Sequence, residues 1–225
     1  HQLLKDSGHE IVNVRGPVPE EKLLQLVTCN LKGEGGFDGL LHGNDPITRQ
    51  VIECGLPQLK CLSKYGVGLD TVDIIAAREH NVPVLFTPGV NHVSMAEHVF
   101  ALMLTMAKDI TAHVQRTKAG RWERQTGIEL AGKTLGILGL GRTGMAVAQR
   151  AAALEMRVLA YDPFLSVDRA KEIGVERVEL DDLLARADFI SLHTPLTDQT
   201  RGILDAKALA KTRKGVRIVN CARGG

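Results

Sequence analysis

The alternation of hydrophobic and polar positions predicts short strands separated by helices along residues 1–87. Apolar runs of strand length stand at 10–14, 39–43, 59–65 and 82–87. Between them, apolar residues recur every three or four positions, as on one helix face, at 20–30, 48–55 and 71–81. Thr48 has the side chain of a helix-opening residue. Strands separated by helices indicate a parallel sheet with helices on both faces.

A longer segment, 93–110, interrupts this alternation. It is apolar on nearly every side from Val99 to Ala107, so we expect a helix that is buried against more than one surface. The turn-forming residues at 87–91 precede it. We therefore place a domain boundary near residue 88.

The strand–helix alternation resumes after residue 131 and predicts a second parallel sheet. The predicted strands are 135–138, 157–162, 188–196 and 216–225. The predicted helices are 145–155, 167–174 and 180–187. The sequence thus predicts two α/β domains, 1–87 and 88–225.

Composition narrows the class of protein. Hydrophobic residues make up 44% of the 225 residues and aromatic residues only 4%, so the core must be aliphatic. A net charge of +2, spread along the chain, gives no reason to expect a nucleic acid or membrane partner. The four cysteines lack the spacing of a metal or redox site, so we expect no metal and a reducing, cytoplasmic setting.

The stretch "GILGLGRTGMAV" at 136–147 carries the main candidate chemistry. Gly139, Gly141 and Gly144 follow a predicted strand and open a predicted helix, where backbone amides can hold a diphosphate. Asp162 ends the next predicted strand, where a carboxylate accepts hydrogen bonds from ribose hydroxyls. Because a carboxylate repels a 2′-phosphate, the pattern favours NAD over NADP.

The carboxyl ends of parallel strands meet at one sheet edge, where ligands bind. Besides Asp162, this edge should hold residues 193–195 and 221–223. The guanidinium of Arg223 could hold a substrate carboxylate and polarise a carbonyl oxygen, or it could form a surface ion pair.

The stretch "KYGVGLDTVD" at 64–73 is a second candidate site. Gly66 and Gly68 flank Val67 directly after a predicted strand, so backbone amides there could bind a small anion such as a carboxylate. The alternative is an ordinary strand–helix connection capped by Asp70 or Thr71.

Several stretches, in this order, resemble signatures of the D-isomer-specific 2-hydroxyacid dehydrogenase family. They are "KYGVGLDTVD", "TPGVNHVSMAEH", "GKTLGILGLGRTG", "YDPF", "LHTPLTDQTRGIL" and "KGVRIVNCARGG". The resemblance implies a flavodoxin-like substrate domain and a Rossmann NAD-binding domain, both doubly wound, and a homodimer formed with the long helix. "GRWER" at 120–124 most resembles the D-3-phosphoglycerate dehydrogenase branch.

The resemblance, together with the sheet-edge argument, assigns the site residues. Those expected to bind NAD are Gly139, Gly141, Arg142, Thr143, Gly144, Asp162, His193, Thr194, Pro195, Cys221, Ala222 and Arg223. Those expected to bind substrate are Tyr65, Gly66, Val67 and Gly68. Arg223 matches the catalytic arginine of the family.

The sequence departs from the family pattern in several places. Thr143 stands where isoleucine is usual, and residues 42–44 (His-Gly-Asn) stand where many phosphoglycerate dehydrogenases carry a phosphate-binding arginine. The family's catalytic glutamate and histidine are expected after Gly225, and the first strand of the substrate domain before His1. We therefore expect a chain truncated at both ends that lacks its acid–base residue.

The expected reaction is hydride transfer between NAD and C2 of a D-2-hydroxy acid, with 3-phosphoglycerate as one candidate substrate. An NADH-sensing binding protein or co-regulator of the same fold is the alternative. A methyltransferase also uses a glycine loop and an acidic ribose ligand, but the strand end "NCARGG" argues against it.

Overall fold

The computed structural model describes residues 2–29 and 35–224. The chain forms two compact units, His1–Val90 and Asn91–Gly225, each with its own parallel sheet. The predicted boundary near residue 88 lies close to this division.

The first unit is an α/β structure with three parallel strands. Its helices are α1 (Gln2–Asp6), α2 (Glu20–Thr28), α3 (Arg49–Gly55) and α4 (Ile74–Glu79). Its strands are β1 (Gly39–His42), β2 (Cys61–Lys64) and β3 (Val84–Leu85). The strands lie in the order β1-β2-β3, and their aliphatic side chains, with those of α2, α3 and α4, form one core.

Two caps explain where α3 and α4 begin. The Thr48 hydroxyl accepts a hydrogen bond from the Val51 amide (3.3 Å), which confirms Thr48 as the residue that opens α3. The Asp73 carboxylate accepts from the Ala76 amide (2.8 Å) and caps α4. The expected cap at Asp70 or Thr71 is therefore wrong.

The first prediction along the chain is also wrong, because residues 10–14 form no strand. A strand needs a neighbour that supplies ladder hydrogen bonds, and the sheet order β1-β2-β3 does not include this segment. Its hydrophobic pattern has another cause, since Val14 packs against the core of the first unit. The predicted helix 20–30 is seen as α2, and its last residue, Asn30, lies outside the described residues.

The second unit has five parallel strands. Its helices are α5 (His92–Lys108), α6 (Ile110–Lys118), α7 (Arg142–Ala153), α8 (Val167–Glu172), α9 (Leu180–Arg186) and α10 (Ala206–Ala210). Its strands are β4 (Thr134–Leu138), β5 (Arg157–Tyr161), β6 (Glu176–Arg177), β7 (Phe189–Leu192) and β8 (Arg217–Asn220). The strand order is β6-β5-β4-β7-β8, so the order reverses between β4 and β7.

Aliphatic clusters cover both faces of this sheet. Ile137 of β4 belongs to a cluster with α5 and α7, and the next residue, Leu138, to a cluster with α9. This alternation is the two-residue period of a strand buried on both sides.

Within the single chain, the helix α5 is buried along one face, and burial of its other sides against a further surface stays a prediction. Its buried residues are Ala96, Val99, Phe100, Met103 and Ala107, which recur every three or four positions and pack in the core of the second unit. Leu102, Leu104 and Met106 are each 38% exposed. The chain leaves the helix at Asp109, whose φ of 49° is left-handed, and α6 follows.

Candidate functional site

The glycine loop lies where β4 and β7 diverge, which is the switch point of the sheet. Gly139 follows β4 with a φ of +88°, a conformation that favours glycine. A Cβ on Gly139 would lie 3.0 Å from the Thr194 amide nitrogen and 3.0 Å from the His193 carbonyl carbon. The loop therefore packs directly on the chain that leaves β7.

Gly144 brings the first turn of α7 against the same loop. A Cβ on Gly144 would lie 2.2 Å from the carbonyl oxygen of Gly139. Only a glycine allows this approach, so the two glycines fix the start of α7 at the end of β4.

Gly141 is the N-cap of α7, and no side chain of the described residues caps this helix. The first intrahelical hydrogen bond runs from the Met145 amide to the Gly141 carbonyl (2.9 Å). No other part of the described chain lies within 4 Å of the place that a Gly141 Cβ would occupy. This open space before an uncapped N-terminus of a 12-residue helix fits a diphosphate bound by backbone amides.

Asp162 joins the end of β5 to the glycine loop. One carboxylate oxygen accepts from the Leu140 amide (2.7 Å) and the other from the Phe164 amide (2.9 Å). The Gly139 amide also donates to the Tyr161 carbonyl (2.9 Å). A carboxylate has lone pairs left after two such bonds, so Asp162 can both brace the loop and accept from ribose hydroxyls.

His193 is held against the end of β7. Its Nε2 lies 2.8 Å from the hydroxyl of fully buried Ser191, and its amide donates to the Leu138 carbonyl (2.8 Å). Burial lowers the pKa of His193 to about 4. The imidazole is therefore neutral at pH 7. Of the residues after it, Thr194 is half-buried and Pro195 is exposed.

The residues after β8 form a turn organised by Asn220. Its Oδ1 accepts from the Ala222 amide (3.0 Å), and its Nδ2 donates to the Arg223 carbonyl (2.8 Å). The Arg223 guanidinium donates to the Ala222 carbonyl (2.9 Å). Burial raises the pKa of the Cys221 thiol, which disfavours a thiolate. All three predicted residues, 221–223, thus lie on one short turn.

In the first unit, residues 65–68 form a loop at the end of β2. Gly66 has a φ of +138°, and its carbonyl accepts from the amide (3.0 Å) and hydroxyl (3.1 Å) of Thr87. Within the described chain, the amides of Val67 and Gly68 make no hydrogen bond. Tyr65 is 83% exposed. Two unpaired adjacent amides can bind a carboxylate, as the anion-site prediction requires.

Three findings concern classes of site rather than single residues. Among residues 2–29 and 35–224, no group of three His, Cys, Asp or Glu side chains could hold a metal ion. No helix in that same part of the chain has the length and apolar character needed to cross a bilayer. The described cysteines, including Cys54 and Cys61, are all unpaired thiols.

Comparison with known proteins decides the family. Residues 100–225 match the family described as D-isomer specific 2-hydroxyacid dehydrogenase, NAD binding domain. The chain belongs to this family. The resemblance inferred from the six sequence stretches is thereby confirmed, and residues 100–225 are an NAD-binding domain.

Three relatives show the extent of the similarity. The D-3-phosphoglycerate dehydrogenase of Mycobacterium tuberculosis is 50% identical over 190 residues, which are 84% of this chain and 36% of that protein. The crystal structure of the TT0316 protein from Thermus thermophilus matches with a TM-score of 0.88 and 34% identity, over 99% of this chain and 70% of that one.

The third relative is an NAD-dependent formate dehydrogenase from Staphylococcus aureus, solved in complex with NAD. It matches with a TM-score of 0.84 and 31% identity, over 99% of this chain and 66% of that one. The chain spans about a third of the length of the Mycobacterium tuberculosis relative, since the match covers 36% of that protein.

Sequence reasoning missed several residues that organise this family member's loops. Asn220 and Ser191 lie one or two residues before predicted site residues, and a polar residue inside an apolar strand is a usable signal for both. The buried Lys64 and Asp45 of the first unit were also missed, because only the pairing of β1 with β2 brings their loops together.

Proposed function

We propose that the protein is an NAD-dependent oxidoreductase that interconverts a D-2-hydroxy acid and the corresponding 2-keto acid. The observation that carries this proposal is the uncapped N-terminus of α7 at Gly141, facing open space beside Asp162. When bound, NAD would supply the hydride chemistry at its nicotinamide ring.

The second unit would bind the cofactor through backbone groups and one carboxylate. The amides after Gly141 would hold the diphosphate, and Asp162 would accept from the adenosine ribose hydroxyls. Arg142 and Thr143 in the same turn, Thr194 and Pro195 after β7, and Cys221 and Ala222 after β8 are proposed to line this site. They stand at the carboxyl ends of the strands, where ligands of open parallel sheets bind.

Substrate binding is assigned to charged and backbone groups. The guanidinium of Arg223 would hold a carboxylate and polarise the C2 oxygen, because its planar donors match two oxygens at once. In the first unit, the amides of Val67 and Gly68 are proposed to bind a carboxylate. Arg223 is the proposed catalytic residue.

A proton must also move to or from the C2 oxygen. His193 is unsuited to this role, because a pKa of about 4 leaves the imidazole neutral at pH 7 and makes it a weak base. The proposed acid–base residues are the glutamate and histidine expected after Gly225.

We also propose that the protein is a homodimer. Leu102, Leu104 and Met106 of α5 are each 38% exposed, and Leu104 lines an apolar groove of about 460 Å³ with Phe100 and Leu154. Ile110 and Val114 of α6 extend the exposed apolar surface. Exposed apolar side chains on two successive helices suit a subunit contact.

The substrate is proposed to be an anionic 2-keto acid, with 3-phosphohydroxypyruvate as one candidate. The similarity to D-3-phosphoglycerate dehydrogenases at 50% identity supports the phosphorylated compound. The unpaired thiols suit the reducing cytoplasm as the setting.

The direct test is NADH oxidation by the full-length protein with glyoxylate, hydroxypyruvate, pyruvate and 3-phosphohydroxypyruvate. Loss of NADH absorbance with at least one of them is expected, and the relative kcat/KM values identify the substrate. NADH binding without turnover of any panel member would contradict the proposed reaction and support the NADH-sensing alternative.

A further inference from the structure

A buried lysine lies at the end of β2, directly before the 65–68 loop. Lys64 is only 4% exposed, and it pairs in register with His42 on β1. Its ammonium group donates to the Gly43 carbonyl and to Oδ1 of Asn44 (2.9 Å). Lys64 thus ties the loop after β1 to the loop after β2.

The acidic residue nearest in sequence to Gly43 and Asn44, the two residues that bind the Lys64 ammonium, is Asp45, and its carboxylate contacts other groups. Asp45 is 6% exposed, and its carboxylate accepts from the Val18 amide (2.6 Å) and the Gly43 amide (2.8 Å). The Gly16 Cα also faces it, since a Cβ there would lie 3.0 Å from Oδ1. The carboxylate of Asp45 therefore stabilises the 16–18 turn. The ammonium of Lys64 donates instead to uncharged oxygens, those of Gly43 and Asn44.

The neighbouring imidazole adds no charge of its own. His42 is 5% exposed, and neither ring nitrogen has a hydrogen-bond partner within the described residues. Burial, and next the charge of Lys64, lower the pKa of His42. His42 is therefore neutral at pH 7, and Lys64 is the positive group of this cluster.

The lysine side chain lies behind the proposed anion-binding loop. Its Cε is 3.6 Å from the place that a Cβ on Gly66 would occupy. The unpaired amides of Val67 and Gly68 follow directly. A charge in a buried setting is screened less than one in water, so its field acts on a ligand that it does not touch.

We propose that Lys64 is a positioning residue for an anionic substrate, fixing the loop after β1 and placing a positive charge behind the amides of Val67 and Gly68. The proposal rests on the proposed function and specifies the ligand class of that loop, a carboxylate. Lys64 acts through the loop and through its field, and it makes no contact with the substrate.

The test compares four variants of the full-length protein. Lys64→Met removes the charge, and Lys64→Arg retains it. Asn44→Asp leaves the lysine in place and neutralises it with a new carboxylate, which keeps the test valid if Lys64→Met does not fold. Lys60→Met is the matched control, because its side chain is 71% exposed and pairs with Asp38 on the surface.

Two readouts are used. The first is the KM for the best keto acid of the panel, measured beside the Kd for NADH. The second is the shift in melting temperature caused by oxalate, a dicarboxylate probe that needs no turnover. Lys64→Met and Asn44→Asp should raise the KM about tenfold, because each removes the effect of one positive charge that acts on the substrate without touching it. They should also reduce the oxalate shift and leave the Kd for NADH unchanged.

Lys64→Arg should retain the oxalate shift and most of the substrate affinity, and Lys60→Met should behave as wild type. The proposal is overturned if Lys64→Met and Asn44→Asp match Lys60→Met in KM and in the oxalate shift. Absence of turnover in the wild type, with an oxalate shift that Asn44→Asp abolishes, would contradict the proposed reaction while supporting Lys64 as an anion-positioning residue.

Discussion

The Cα of Gly144 faces the carbonyl oxygen of Gly139 so closely that a Cβ at residue 144 would lie 2.2 Å from that oxygen. This contact closes the turn between β4 and α7. The spacing of the two glycines is therefore a packing requirement, independent of any ligand.

Gly144→Ala should destabilise the protein. The added methyl group must displace backbone rather than a flexible side chain, and overpacking of this kind lowers the free energy of unfolding by about 1–3 kcal/mol. Denaturant melts of the full-length variant measure the change. Gly202→Ala is unsuitable as a control because its φ is +66°. Gly35→Ala is the better control, because a Cβ there has no atom of the described residues within 4 Å, and it should leave the midpoint unchanged. Equal stability of Gly144→Ala and wild type would contradict the contact.

Asp162→Ala should weaken the preference for NADH over NADPH. Without the carboxylate, the 2′-phosphate of NADPH meets no negative charge at this position. We expect the Kd for NADPH divided by the Kd for NADH to fall by about tenfold, or about 1.4 kcal/mol. Fluorescence titrations with both cofactors provide the ratio. Asp168→Ala, which removes an exposed carboxylate at the start of α8, should keep the wild-type ratio. An unchanged preference in Asp162→Ala would show that another group senses the ribose.

His193 predicts a pH dependence of stability. Its pKa in the folded protein is about 4, below the ordinary 6.5, so the unfolded chain takes up more protons between these values. The stability that this neutral imidazole contributes is complete above about pH 6.5 and is lost as the pH falls towards about 4. His193→Gln, which cannot titrate, should flatten the fall in melting temperature across this window. Parallel curves for variant and wild type would contradict the low pKa.

The proposed dimer depends on the exposed apolar side chains of α5. Leu104→Asp places a charge in the groove beside Phe100, so it should raise the dimer Kd about a hundredfold or more. Analytical ultracentrifugation should detect a monomer. Val167→Asp replaces an apolar residue of α8 that is 52% exposed, and it should leave the dimer intact. A monomeric wild type, or a dimeric Leu104→Asp, would rule out this interface.

Much of the second unit could be predicted from the sequence because its determinants are local. The spacing of Gly139, Gly141 and Gly144 before a helix, with Asp162 ending the next strand, identifies the glycine turn without tertiary information. The strand prediction at 10–14 was wrong because pairing, which the sequence pattern does not encode, decides whether an apolar run becomes a strand.

The cluster around Lys64 could not be predicted for the same reason. Asn44 and Lys64 are 20 residues apart in sequence, and only the register of β1 and β2 brings them together. From the hydrophobic pattern alone, a lysine in a strand is expected to be exposed. Lys64 can be buried because a backbone oxygen and an amide oxygen accept hydrogen bonds from its ammonium.

The central claim is that backbone amides at the start of α7 bind the diphosphate of NAD. Calorimetric titration of NADH into full-length wild type and Gly141→Ala tests it most directly. Apart from the two adjoining residues, a methyl group at Gly141 meets no atom of the described residues within 4 Å, and it would occupy the space assigned to the ligand. We expect the variant to keep the wild-type melting temperature and to bind NADH at least about tenfold more weakly. Equal affinity in the two proteins, or no NADH binding by the wild type, would contradict the account.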